Sequence, residues 1–319
     1  MLEAPGIIAA VSGGPDSIAL MHLLARWNTR PAPRKILVAT VDHGLRAEAA
    51  EEARWVASEA AALGLAHRIL AWTGEKPATG LQERAREARY RLLVDLARET
   101  SASHLLTAHT LDDQAETILM RMARGSGLAG LSGMAAERDR RGIRHLRPLL
   151  DCPKATLVDL CTREGWRFVT DPSNRDERFA RVRWRRLMPA LAAEGLGAER
   201  LAELARRARQ ADEALDFKTA EAYDRCRLME AGEGVVLDAA VMAAEPFEIA
   251  LRLLMKGLSE AGLPEDGRRL QRLETCVGRL REAVRRSEVL RMTIAGALVD
   301  LDRSGWLTIR AESPRQRGR

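Results

Sequence analysis

The stretch Ile7-Ile8-Ala9-Ala10-Val11-Ser12-Gly13-Gly14-Pro15-Asp16-Ser17 constrains the fold of this chain more than any other. A β-branched and alanine run stops at a hydroxyl residue. Two glycines, a proline, an acid and a second hydroxyl follow, and then an apolar helical pattern begins. That order reads as a strand, a tight turn and a helix N-terminus. Such a turn aims several backbone N–H groups and the positive end of a helix at one point, a geometry suited to phosphate. The glycines let the backbone approach a ligand, and Pro15 suits a first-turn position that needs no N–H. The string is neither the Walker pattern G-x-x-x-x-G-K-[ST] nor the dinucleotide pattern G-x-G-x-x-G.

Strand and helix patterns alternate downstream of this turn. Strand-like runs are Gly6–Val11, Ile36–Val41, Ala66–Leu70 and His104–Ala108. Between them lie helix-like runs at Ser17–Trp27, Ala47–Leu63, Leu81–Glu99 and Asp113–Arg124. In Leu81–Glu99, the residues Leu81, Ala85, Ala88, Leu92 and Leu96 recur at helical spacing. The alternation predicts an α/β fold: a doubly wound, mostly parallel sheet with helices on both faces. Ligands of such sheets bind outside the carboxyl ends of the strands. Ser12, Asp42 and His109 each fall just past a predicted strand.

Gly125–Met134 reads as a loop and Arg138–Arg147 as a basic stretch. Asp151 is placed to cap a helix over Pro153–Glu164. From Asp176 the chain is arginine-rich and helical, and Arg200–Glu221 reads as a long charged helix bridging two halves. After about Asp224, short apolar runs (Val235–Leu237, Val289–Ile294, Leu298–Leu301, Trp306–Ile309) mix with helices (Phe247–Leu258, Arg268–Arg286), the pattern of a smaller α+β domain. The expected division is a catalytic domain over 1–195, a linker helix over 196–223 and the smaller domain over 224–319. Pro314–Arg319 reads as a disordered tail.

Composition narrows the class. Of 51 basic residues in 319, only five are lysines, so the net charge of +6 is carried by arginine. Arginine favours bidentate phosphate contacts, and the excess charge is consistent with a polyanionic partner. The four cysteines form no C-x-x-C pair, which signals neither a zinc nor an iron–sulfur site, and they read as buried thiols. No apolar run approaches the ~20 residues of a membrane span, and no signal peptide is visible, so a cytoplasmic protein without a membrane partner is expected.

Three further constellations carry chemistry. Asp42-His43, closing the second strand, sit where a nucleotide's base and ribose would lie, although capping or packing accounts for them equally. In Thr107-Ala108-His109-Thr110-Leu111-Asp112-Asp113-Gln114-Ala115-Glu116-Thr117, two acids fall where a helix begins and Glu116 follows one turn on. Adjacent carboxylates at a strand end suit Mg²⁺ with phosphates, and they suit an ammonium group as well. Thr170-Asp171-Pro172-Ser173-Asn174-Arg175-Asp176 is a turn by residue type. The arginines at 181, 183, 185 and 186 that follow cannot all share one helix face, so some face solvent or phosphate and some close on acids.

Ser12-Gly13-Gly14-Pro15-Asp16-Ser17 resembles the S-G-G-x-D-S pyrophosphate loop of the N-type ATP pyrophosphatases, whose fold is the adenine nucleotide alpha hydrolase-like one. With Val41-Asp42-His43-Gly44-Leu45-Arg46, Ala88-Arg89-Tyr90, His109-x-x-Asp112-Asp113-x-x-Glu116-Thr117, Arg147-Pro148-Leu149 and Asp171-Pro172-Ser173-Asn174, in this order, residues 6–190 look like the tRNA(Ile)-lysidine synthetase family. That resemblance implies use of ATP and Mg²⁺. It also implies ligation of free L-lysine to C2 of the wobble cytidine of a tRNA(Ile) with a CAU anticodon, AMP and pyrophosphate leaving. A homodimer is compatible with it. Carried over, Ser12, Gly13, Gly14, Pro15, Asp16 and Ser17 bind ATP, with Asp42 and His43 bordering the nucleotide. Asp16, Asp112, Asp113 and Glu116 are catalytic; Asp112, Asp113 and Glu116 handle Mg²⁺ or the lysine ammonium, with Asp112 and Asp113 the candidate metal ligands. Arg181, Arg183 and Arg185 approach RNA or the reacting phosphate. The chain departs from the family where Arg181-Val182-Arg183-Trp184-Arg185 replaces the usual Arg-Asn-Arg-Ile-Arg. A thiolase or amidating enzyme of the same fold is the first competing reading, and a non-enzymatic RNA-binding protein the second. Paired cysteines and a glutaminase domain are missing for the former, and the intact loop with its acids opposes the latter.

Overall fold

The computed structural model describes residues 6–29, 33–44, 48–74, 76, 80–170, 178, 180–231, 234–263 and 270–312. The predicted Asp171–Asp176 turn and the Pro314–Arg319 tail lie outside the described residues. Contacts divide the chain into two compact units, Met1–Gly125 with Gly130–Arg206, and Ser126–Ala129 with Arg207–Arg319.

The first unit runs β1 (Gly6–Ala10), α1 (Pro15–Trp27), β2 (Lys35–Asp42), α2 (Ala49–Ala62), β3 (Ala66–Ala71), α3 (Leu81–Glu99), β4 (His104–Thr107) and α4 (Leu111–Ala123). A short helix, α5 (Leu128–Leu131), precedes β5 (Glu137–Arg140), β6 (Ile143–Leu146), α6 (Lys154–Arg163) and α7 (Ala180–Ala193). The sheet order is β3-β2-β1-β4-β6-β5, parallel throughout except for the β5–β6 pair. Strand β1 pairs β2 on one side (Ile7 with Ile36) and β4 on the other (Ile7 with His104).

The period-two alternation of β1 explains why both faces are covered. Ile7, Ala9 and Val11 enter one core with Ile18 and Met21 of α1, Val56 of α2, and Leu157 and Cys161 of α6. Ile8 and Ala10 turn to the other face, against Leu93, Val94 and Ala97 of α3. Chain order reverses direction between β1 and β4, and a crevice opens at such a switch point beyond the strand ends. The loops carrying Ser12–Ser17 and His109–Asp113 both leave the sheet there.

Two expectations are corrected. The basic stretch 138–147 is mostly a β-hairpin. Arg141 and Gly142 both take positive φ, 55° and 86°, the two-residue turn that matches strand twist. Arg-Gly is not the usual residue pair for it, and the inward position of His145, fully buried, disguises the apolar alternation. Asp151 does not cap α6. Pro153 occupies that position without a side-chain bond, and the Lys154 N–H instead donates to Asp112 Oδ2 at 2.7 Å. A smaller difference lies in the predicted 125–134 loop, which holds α5.

Helix α8 (Ala198–Cys226) is where the two units divide. The second unit continues with β7 (Arg227–Ala231), β8 (Gly234–Asp238), α9 (Ala239–Ala244), α10 (Phe247–Glu260), α11 (Leu270–Arg286), β9 (Leu290–Ile294), β10 (Ala297–Leu301) and β11 (Trp306–Ala311). Its sheet, in the order β7-β8-β11-β10-β9, is antiparallel throughout. Leu237, Val299, Leu307 and Ile309 pack with Leu253 and Leu254 of α10 and Cys276 and Val277 of α11. The four cysteines are free, and three are buried while Cys152 is only partly so.

Candidate active site at the carboxyl ends of β1 and β4

The Ser12–Ser17 loop is built by its own hydroxyls. Ser17 Oγ donates to Gly14 O at 2.9 Å and accepts from Ser12 N at 3.1 Å. Gly13 takes φ +88°, where an L side chain is strained, and a Cβ there would meet Val56 Cγ2 at 3.4 Å. Gly14 stands at the N-cap of α1 without a side-chain bond. The first-turn amides of Asp16 and Ser17 therefore keep their capacity for an external acceptor.

Asp16, in that first turn, is tied to α6. Its Oδ2 lies 2.8 Å from Lys154 Nζ, while Oδ1 is buried with no partner among the described residues. Burial raises the Asp16 carboxyl above its usual value, Lys154 opposes the rise, and repulsion from Asp113 and Asp112 adds to it. Lys154 links the acids of α1 and α4 directly, its Nζ on Asp16 and its N–H on Asp112.

At the start of α4, Thr110 and Asp113 form a reciprocal cap. Asp113 Oδ2 accepts from Thr110 N at 3.0 Å, and the Asp113 N–H donates to Thr110 Oγ1 at 3.4 Å. Glu116, one turn on, is 2% exposed. Its Oε1 accepts from Arg185 Nε at 2.8 Å, and its Oε2 is buried with no partner among the described residues. Burial raises its carboxyl, against the pull of Arg185.

Of the three arginines expected near RNA, two reach these acids from α7. Arg185 holds Glu116, and Arg181 lies 3.7 Å from Asp113 Oδ1. Arg183 is exposed, with one guanidinium nitrogen donating to Arg178 O. Val182 is buried and Trp184 packs with Ala115, Ile118 and Leu119 of α4, which gives the two departures from the family pattern a packing role.

Asp42 ends β2 and its Oδ1 accepts from Gly44 N at 2.8 Å. His43 is half-buried, edge-on to Trp72 with ring centroids 5.9 Å apart. Burial lowers its pKa, and Arg89 lowers it further. Arg89 also acts on His109, which places Asp42-His43 at the same end of the sheet as α4. Sequence reasoning missed Lys154, although it is the only lysine between residues 77 and 217, and it missed His145, hidden in the basic stretch.

Among the described residues no group of three or more His, Cys, Asp or Glu could hold a metal ion. Mg²⁺ does not require such a cage, because it commonly takes one or two carboxylates together with substrate phosphates. The unpartnered Asp16 Oδ1, with Asp112 and Asp113 close enough to repel it, fits that mode.

Comparison with known proteins decides the family. A PP-loop domain model matches residues 2–191. A tRNA(Ile)-lysidine synthase of Methylobacterium nodulans is 53% identical over 318 residues, 99% of this chain and 93% of that one. The chain belongs to the tRNA(Ile)-lysidine synthase family. The same-named protein of Rhodopseudomonas palustris is 48% identical over 99% of this chain and 93% of its own length. That of Bradyrhizobium diazoefficiens is 49% identical over 94% and 88%. In structure the chain resembles a U34-tRNA thiolase, NcsA from Methanococcus maripaludis, with TM-score 0.56 and 15% identity over 63% of this chain and 71% of that one. That likeness concerns the fold. The lysidine synthase matches extend through the second unit, past the end of the PP-loop match.

Proposed function

We propose that this protein ligates lysine to the wobble cytidine of tRNA(Ile), using ATP cleaved between its α and β phosphates. The observation that carries the reading is that Lys154 joins the Ser12–Ser17 loop to the acids of α4, with its Nζ on Asp16 and its backbone N–H on Asp112, in a chain matching the family over 99% of its length.

A cytosine C2 carbonyl is a poor electrophile with a poor leaving group. Attack of its oxygen on the α-phosphorus of ATP breaks the α–β bond, releases pyrophosphate and makes that oxygen part of AMP. The neutral ε-amine of lysine then bonds to C2, and AMP leaves with the oxygen. The loop amides receive the charge that develops on the departing pyrophosphate. Asp16, Asp112 and Asp113 would hold Mg²⁺, which supplies phosphate charge neutralisation when bound. Glu116, buried and raised, is assigned to receive the ammonium group of lysine and its proton. Arg185 and Arg181 leave their acids for phosphate or RNA when substrates enter. Asp42 and His43 border the nucleotide, and Arg183 faces RNA.

Residues 224–319 are assigned to tRNA recognition beyond the 196–223 linker. No helix among the described residues is long and apolar enough to cross a membrane. The test is release of AMP and pyrophosphate from ATP. It should require both lysine and tRNA(Ile), and Asp16→Ala should abolish it while leaving the thermal midpoint near wild type. Turnover by that variant at the wild-type rate would remove the loop from the mechanism.

A further inference from the structure

A chain of buried hydrogen bonds runs away from the acids, through the ends of β4 and β6. Arg140 Nε donates to His145 Nδ1 at 3.1 Å, and an Arg147 Nη lies 3.3 Å from the same atom. Guanidinium has donors only, so His145 Nδ1 is an acceptor and carries no proton. The proton of His145 is then on Nε2, which lies 2.8 Å from Thr107 Oγ1. The hydroxyl accepts there and has one proton to give, and its other neighbour, His109 Nδ1, is also at 2.8 Å. His109 Nδ1 accepts in turn, which leaves the proton of His109 on Nε2. His145, Thr107, His109 and Arg147 are buried, at 0%, 6%, 8% and 5% exposed, and Arg140 is half-buried.

We propose that Thr107 and His145 are positioning residues that hold His109 as a neutral Nε2–H donor for an oxygen of the bound substrates. His109 does not act as a base. The relay is read from the protein alone, while the acceptor's identity rests on the reaction assigned above. No protein acceptor takes the Nε2–H among the described residues. Arg181, which acts electrostatically on His109, also sits beside Asp113, so the donor borders the acidic site.

The charges around the relay agree with this direction. Burial pushes His109 down to about 2, helped by Arg89, Arg147, Arg86 and Arg181. His145 is likewise pushed down to about 2 by burial, then by Arg147 and Arg140. A ring surrounded by guanidiniums stays neutral across the working range of an enzyme. It can steady negative charge on oxygen without taking a proton from an amine. The base for lysine is thereby confined to the carboxylates.

The experiment is long-range ¹H–¹⁵N correlation on histidine-labelled full-length protein, with His109 and His145 assigned through His109→Gln and His145→Gln. The expected result is His109 with a bare Nδ1 and a protonated Nε2, unchanged between about pH 5.5 and 8.5. Thr107→Val should let the Nδ1-protonated form appear and lower kcat/KM about tenfold, the worth of one hydrogen bond. Thr107→Ser should restore both readings. A non-hydrolysable ATP analogue alone shifts the Nε2–H resonance if the acceptor is phosphoryl oxygen, and tRNA alone shifts it if the acceptor belongs to RNA. His109 protonated on Nδ1 at neutral pH, a Thr107→Val spectrum identical to wild type, or no shift with either ligand would overturn the assignment. These spectra need no turnover, so they fail or succeed separately from the ligation reaction.

Discussion

Lys154 Nζ lies 2.8 Å from Asp16 Oδ2, and this ion pair joins the first turn of α6 to the first turn of α1. The backbone N–H of Lys154 meanwhile donates to Asp112. One residue thus fixes an acid of the phosphate loop and an acid of α4.

Lys154→Met should leave the partly buried Asp16 carboxylate without its cation. A hydrogen bond to a charged group contributes roughly 1.5–3 kcal/mol, so kcat/KM for ATP is expected to fall about 10- to 100-fold. Steady-state pyrophosphate release measures it. Lys154→Arg should recover part of the loss, because the charge returns with different reach.

Asp112 has two separable tasks, an acceptor for the α6 amide and a charge beside Asp16. Asp112→Asn keeps an oxygen acceptor and should hold the thermal midpoint close to wild type while ATP turnover collapses. Asp112→Ala removes the acceptor as well and should cost about 1 kcal/mol in denaturant unfolding, as loss of a helix cap does. Equal stability of the two variants would dissociate Asp112 from α6.

Gly13 sits at φ +88° with Val56, Trp55 and Val169 closing around its missing Cβ. Gly13→Ala should destabilise the protein by about 1–2 kcal/mol through left-handed backbone strain. It should also raise the KM for ATP, because relief of that strain moves the loop amides. Calorimetry and ATP titration check the two effects separately.

The pH dependence of stability follows from the relay. His109 and His145 are held near 2 in the folded protein, against 6.5 for an ordinary histidine. Below about pH 6.5 the unfolded chain binds more protons than the folded one, so stability falls as the solution is acidified. Each site contributes about 1.4 kcal/mol per pH unit in that window. Asp16 and Glu116 are raised and act in the opposite sense, losing stability as pH rises from the ordinary carboxyl range through their folded values. Urea midpoints at neutral pH and near pH 5 should therefore drop less in a His109→Gln/His145→Gln variant than in wild type.

The architecture was legible because its signals are local. The β1 turn carries its glycines and hydroxyls in sequence, and the αβ alternation repeats often enough to set a parallel sheet. The acids at 112, 113 and 116 were readable from helical spacing. Contacts between elements distant in sequence were not. Nothing in Lys154 announces that it meets Asp16, 138 residues away. Arg185 was grouped with RNA-facing arginines, yet it closes on Glu116. The β5–β6 hairpin escaped because its inward histidine counts as polar until Thr107 and two arginines are found to satisfy it.

Ligation of lysine leaves its mark on the wobble nucleoside itself. The protein is incubated with ATP, Mg²⁺, isotope-labelled lysine and unmodified tRNA(Ile) bearing a CAU anticodon, and the digested nucleosides are weighed by mass spectrometry. The expected product is a cytidine that has gained lysine with loss of water, labelled, and at the wobble position alone. An unchanged wobble cytidine under conditions that bind ATP and tRNA, or sulfur in place of lysine, would contradict lysine ligation.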